Sequence, residues 1–155
     1  MIEVFLSSIV TRNNSQQQLI KLKEKGGPRA FPIVIGLPEA AEIRRVVKQQ
    51  ATERPMTHEL LVAAIEALDA ELVRVDITDL RNHTFFARLV LSRGEGTEPV
   101  FVDARPSDAI ALALRASASL FVAESVLAEV RTDEGVDPLE DEEDEDEADE
   151  DPPSI

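Results

Sequence analysis

Residues 71–92 read ELVRVDITDLRNHTFFARLVLS, and this stretch decides the fold. Its first limb, 71–79, alternates: Val73, Val75 and Ile77 share one face of a strand, and Arg74, Asp76 and Thr78 share the other. The second limb, 84–92, alternates again, with Phe85, Ala87, Leu89 and Leu91 opposed to Thr84, Phe86, Arg88 and Val90. Arg81, Asn82 and His83 form a polar turn between them. Two period-2 segments joined in this way predict an antiparallel hairpin, and with it a sheet that has one wetted face. With the turn near Leu80–Asn82, Arg74 falls opposite Arg88 and Asp76 opposite Phe86. Like charges directly across a ladder repel, so this register needs Asp76 diagonal to the arginines or a bound anion.

Outward from the hairpin, strands and helices are interspersed. Upstream, residues 2–10, 18–25 and 31–36 (FPIVIG) read as strands, with turns at Asn13–Ser15 and Gly26–Pro28. Pro38 opens a helix with Ile43, Val46 and Val47 as its apolar stripe; Glu39 and Glu42 come early and Arg44, Arg45 and Lys48 late, which suits the helix dipole. A second helix follows Pro55, with Thr57 as its N-cap and Leu60, Leu61, Ala64, Ile65 and Leu68 at helical spacing. Downstream, 99–103 is a strand and Pro106 opens an alanine-rich helix, PSDAIALALRAS. Residues 120–123 form a short strand, and 125–130 a short helix or turn. This order predicts an α+β fold: a mixed, largely antiparallel sheet with three main helices, in one domain over residues 1–130.

The chain has 155 residues and a net charge of −15, but the charge is uneven. Residues 131–155 hold fourteen acids and one base, leaving the body at −2. The acidity therefore belongs to a C-terminal tail, 131–155, with too few apolar groups to order itself; disorder is expected from near Val136. A salt-adapted surface would spread its acids over the body. With no Cys, disulfides, thiolate zinc sites and a cysteine nucleophile are excluded. The beginning of the chain reads as a strand rather than a signal peptide, and no apolar run approaches a membrane span, so a cytoplasmic protein without a membrane partner is expected.

Three constellations carry chemistry. Arg12, Lys21, Lys23, Lys25 and Arg29 stand against Glu24 alone, and the three lysines share a strand face. They suit phosphates, or equally an edge strand guarded against aggregation. RPMTHEL (54–60) places His58 and Glu59 at a helix start, for acid–base or metal chemistry or simply for capping. VDARPSDA (102–109) sets Asp103 and Asp108 around Arg105 where a strand end meets a helix start, a place suited to anions. There is no phosphate-binding glycine loop, no zinc-protease helix and no nucleophile elbow. With six Phe as the whole aromatic content, stacking-based recognition of single strands is not expected.

FPIVIG (31–36), EAAEI (39–43), RPMTHEL, TFFARLVL and above all VDARPSDAIALALR occur in an order that resembles the bifunctional nuclease domain family over residues 1–130. The resemblance implies an α+β domain, homo-oligomer assembly (a dimer favoured) and nuclease activity on DNA and RNA; it assigns no catalytic residue. The resemblance, together with the clustering of these groups at element ends, points to a metal-assisted phosphodiesterase in which Glu59, Asp103 and Asp108 would hold Mg²⁺ or Mn²⁺, with Asp76 a weaker ligand. Arg105 would stabilise the phosphorane and His58 would move protons. Lys21, Lys23, Lys25, Arg29, Arg74 and Arg88 would bind the nucleic acid. The alternative is a non-catalytic module that binds nucleic acid or protein, with the tail competing in cis. Asp103 and Asp108 acting as helix caps paired with Arg105 would favour it.

Overall fold

In the computed structural model the hairpin forms as β4 (Glu71–Arg81) and β5 (Thr84–Ser92), closed by Asn82 and His83, both at positive φ (50° and 61°). Two positive-φ residues between paired strands match the strands' right-handed twist. The structure describes residues 1–132; the expected disordered tail lies outside them.

The register differs from the sequence expectation. Two irregularities, around Val73 and Thr78, each add a residue to β4. Leu72, Val75, Ile77 and Leu80 consequently face the core, and Val73 is exposed. Arg88 comes directly opposite Asp76, Arg74 opposite Val90, and Phe86 opposite Asp79. The like-charge clash therefore does not arise. Strict alternation could not reveal it, because a bulge moves every later side chain to the other face.

The remaining elements follow the expected order. They are β1 (Ile2–Val10), β2 (Gln17–Glu24), β3 (Ala30–Gly36), α1 (Leu37–Val47), α2 (Thr57–Ala67), β6 (Val100–Ala104), α3 (Pro106–Ala116), β7 (Ser119–Val122) and α4 (Glu124–Thr132). The fold is α+β, with a seven-stranded sheet in the order β3-β2-β1-β7-β4-β5-β6. All neighbours are antiparallel except β4 and β7. The sheet curls far enough for Phe31 on β3 to stack on Phe85 of β5, ring centroids 5.8 Å apart. A fourth helix, α4, adds to the three expected: Val126, Leu127 and Val130 give it a buried side.

The central helix is α3. Five successive residues, Ala109 to Ala113, are buried, so it is enclosed on all sides. Three of the five are alanine, which lets α1 and the sheet approach closely. Helix α1 buries Ala40 and Ile43 and leaves Val47 exposed, one turn earlier than its apolar stripe suggested. Helix α2 starts one residue earlier in capping terms: Met56, not Thr57, is its N-cap. Of its apolar stripe Ile65 is buried, whereas Leu60 (60% exposed) and Leu68 (70%) face solvent.

Candidate functional site

The start of α2 lies against both other helices: His58 and Glu59 reach Glu42 and Arg45 of α1 and Asp108 and Arg115 of α3, while Arg105, just before α3, reaches Glu39 in the first turn of α1. Pro38 and Pro106 occupy the first turns of α1 and α3, where a missing N–H costs nothing. Glu59 fixes α2: its Oε2 accepts from the Met56 N–H at 2.7 Å.

Glu59 has little capacity left. Thr52 Oγ1 lies 3.1 Å from Oε2, while Arg115 and Arg45 donate to Oε1 at 2.9 and 3.3 Å. The Met56 N–H, then Thr52 and the two arginines, hold its pKa down to about 2 against the opposing effect of desolvation. Arg45 and Arg115 also reach Glu42, at 2.8 and 3.5 Å. The imidazole of His58 lies between two carboxylates, with Nδ1 3.7 Å from Glu42 and Nε2 3.0 Å from Asp108. Asp108 accepts from Arg105 Nε at 2.8 Å, and Arg105 Nη1 reaches Glu39 at 3.1 Å. Burial opposes ionisation of Asp108, but Arg105 and His58 outweigh it and lower its pKa. One ion-pair network thus runs from Glu39 through Arg105, Asp108, His58 and Glu42 to Glu59.

Its Arg105 end is open. The Arg105 side chain is 65% exposed and lines a groove of about 500 Å³ between β3, the β4–β5 turn, the end of β6 and the start of α3. Asp103, Ser107, His83 and Glu39 line the same groove, with Phe85 and Phe86 as its apolar wall. Of the expected catalytic residues, His58, Glu59, Arg105 and Asp108 therefore share one network, and Asp103 lines the same groove as Arg105. Glu59 and Asp103 are not brought together. Among the described residues no group of three or more His, Asp or Glu side chains is gathered to hold a metal. Glu59 is a poor ligand because its lone pairs are taken; Asp103 is exposed on β6 and makes no ion pair among the described residues.

The expected nucleic-acid ligands divide as well. Lys21 and Lys23 project from one face of β2, whose Ile20 and Leu22 are fully buried on the other. Lys25 pairs with Glu3 at 3.0 Å. Arg29 is committed to structure: it bonds Glu24 and Glu124, tying the β2–β3 hairpin to α4. Arg74 and Arg88 both bond the fully buried Asp76, at 2.9 and 3.0 Å. This pairing leaves Asp76 no place in a metal site.

Sequence reasoning did not single out Glu39, Glu42, Arg45, Arg115 or His83 as site residues. The i,i+3 pair Glu39/Glu42, on the helix face that meets RPMTHEL, was the available clue. Arg115 and His83 carried none, since their places depend on how α3 and the hairpin pack.

The bifunctional nuclease domain model matches residues 20–135 of the chain. Two proteins from two strains of Mycobacterium tuberculosis, both described as uncharacterized, are each 40% identical to it over 129 residues, 82% of this chain and 74% of theirs.

Proposed function

The chain belongs to the bifunctional nuclease domain family, and on that premise we propose that it hydrolyses phosphodiester bonds of DNA or RNA at the Arg105 groove. The observation that carries this reading is the exposed Arg105 guanidinium. Nε and Nη1 are committed to Asp108 and Glu39, and Nη2 takes part in neither bond. A fixed guanidinium with a free edge suits a phosphate, whose charge grows as water attacks phosphorus. In that step the new P–O bond forms from water and the ester P–O bond breaks. The water proton is taken up, and the leaving oxygen is protonated. Two groups can handle these protons: His83, which lines the groove, and His58, joined to Arg105 through Asp108.

Mg²⁺ or Mn²⁺ is a separate part of the proposal. Magnesium is commonly held by one or two carboxylates plus substrate phosphate. Asp103, which lines the groove and makes no ion pair among the described residues, suits that role; Asp108 would have to exchange a bond to His58 or Arg105 for the ion, and Glu59, bonded at both oxygens by four donors, does not suit it. Bound there, the ion would neutralise phosphate charge. Incubating purified protein with labelled single-stranded DNA and RNA, with either metal or with EDTA, tests activity and metal dependence together. Cleavage lost in both Asp103→Asn and Asp108→Asn supports the site, and cleavage unchanged in both refutes it.

One observation favours the second reading, a non-catalytic binding module: Asp108 and Glu59 are each engaged by arginine. Binding of nucleic acid without any cleavage under all these conditions would establish it. Homo-oligomer assembly belongs to the proposal too, with the exposed stripe of α2 as its interface. No helix among the described residues is long and apolar enough to cross a membrane.

A further inference from the structure

The core draws its strand residues from one face of the sheet, the face against which the helices pack. The opposite face concentrates the aromatic side chains. Phe5 lies across from Lys23, Phe121 across from Asp76, and Phe101 across from Val90, so all three point outward. Phe86, across from Asp79 and two residues from Arg88, joins them. Four of the chain's six phenylalanines thus occupy one wetted face, with Phe5 45% and Phe101 51% exposed.

A guanidinium covers three of these rings. Arg88 lies 4.2 Å from the Phe101 centroid, Arg81 4.8 Å from Phe86, and Arg74 5.5 Å from Phe121. Asp76, wholly buried beneath the face, fixes Arg74 and Arg88 in place. Lys21, Lys23 and Lys25 extend the same face. Its six cations outnumber its five carboxylates, Glu3, Glu71, Asp76, Asp79 and Asp103.

We infer that this face is a stacking platform for single-stranded nucleic acid. Exposed rings interleaved with guanidinium groups offer π-surfaces to bases and charge to the backbone at once, without reading sequence. A duplex keeps its bases stacked inside, where rings on the outer face of a sheet do not reach them. A second copy docked here through a twofold axis would set cation against cation. From β1 to β6 the platform spans four strand spacings, about 19 Å, enough for a short single strand. Phe86 and Asp103 belong both to the face and to the Arg105 groove, so a strand lying on the platform leads into the groove. The inference takes its polymer class from the nuclease reading and names the substrate form of that site. Few aromatic residues need not mean no stacking surface; here the fold gathers them.

The full chain contains no Trp or Tyr, so Phe101→Trp installs a sole fluorescent reporter on the platform. Short oligothymidylate and an abasic oligomer with the same backbone are titrated in EDTA, where binding is read without turnover. The expected result is quenching of the Trp emission by oligothymidylate and none by the abasic oligomer. Phe101→Ala should weaken oligothymidylate binding about fivefold or more and leave abasic binding unchanged. Equal affinity for the two oligomers in the wild-type chain would overturn the inference. So would failure to bind either, combined with a concentration-dependent dimer that Phe101→Ala abolishes, since the face would then be a subunit interface. Phe101 is half exposed on an edge strand, so its replacement should leave folding intact, which circular dichroism verifies. Absence of cleavage would count against the nuclease reading alone.

Discussion

Asp76 is fully buried yet stays among charges, because Arg74 and Arg88 both reach it from the wetted face. Removing it strands two guanidinium groups that are themselves about 40% exposed, so water compensates part of the loss. Asp76→Ala is expected to destabilise the fold by about 1–3 kcal/mol, read from chemical denaturation. Glu59 makes a different statement. Its folded pKa of about 2 lies below the ordinary 4.5, so its contribution is present above pH 4.5. That contribution is lost as pH falls through 4.5 toward 2, where the folded form must also take up the proton. Glu59→Gln should therefore lower stability at neutral pH and flatten its decline across that window, as pH-dependent thermal melts would show. At this scale the sequence was half legible. The chemistry of Arg105, Asp108 and His58 was visible in two motifs, but the sharing of Asp76 depended on bulges in β4 that alternation conceals.

Element order was the most legible feature. Period-2 runs, proline helix starts and glycine turns are local, and all eleven elements follow the order read from them. What local pattern could not tell was which apolar stripe would find a partner within the chain. Helix α2 shows this, since its spacing is that of a packed helix while most of its stripe faces solvent. Periodicity reports that a face is apolar and is silent on what covers it. If the stripe is a subunit interface, Leu60→Ser combined with Leu68→Ser should shift the protein to a smaller mass in solution. The monomer fold should persist, because neither side chain contributes to the core. An unchanged mass would place any assembly elsewhere.

For the whole molecule, the charge of −15 separates into a nearly neutral body and a tail of −13. Within the body, the fold places Lys21, Lys23, Arg74, Arg81 and Arg88 on one sheet face while acids and arginines neutralise each other around α1, α2 and α3. A tethered acidic segment at high effective concentration would compete for that face. A chain ending after Thr132 should bind single-stranded nucleic acid more tightly than the full chain. Its affinity should also fall more steeply with salt, because more phosphate contacts form when the tail is gone. Equal affinities and slopes would show that the tail does not compete. The charge division was fully legible from composition counted by segment. The clustering of cations with phenylalanines was not, because it requires the register of six strands.

The role of the Arg105 groove is tested most directly by the single-turnover rate of oligonucleotide cleavage by Arg105→Ala, compared with the full wild-type chain under saturating protein. A guanidinium that stabilises the transition state predicts a rate at least about a hundredfold lower, with binding on the sheet face largely retained. A wild-type rate in Arg105→Ala would contradict the assignment of the groove as the site of hydrolysis.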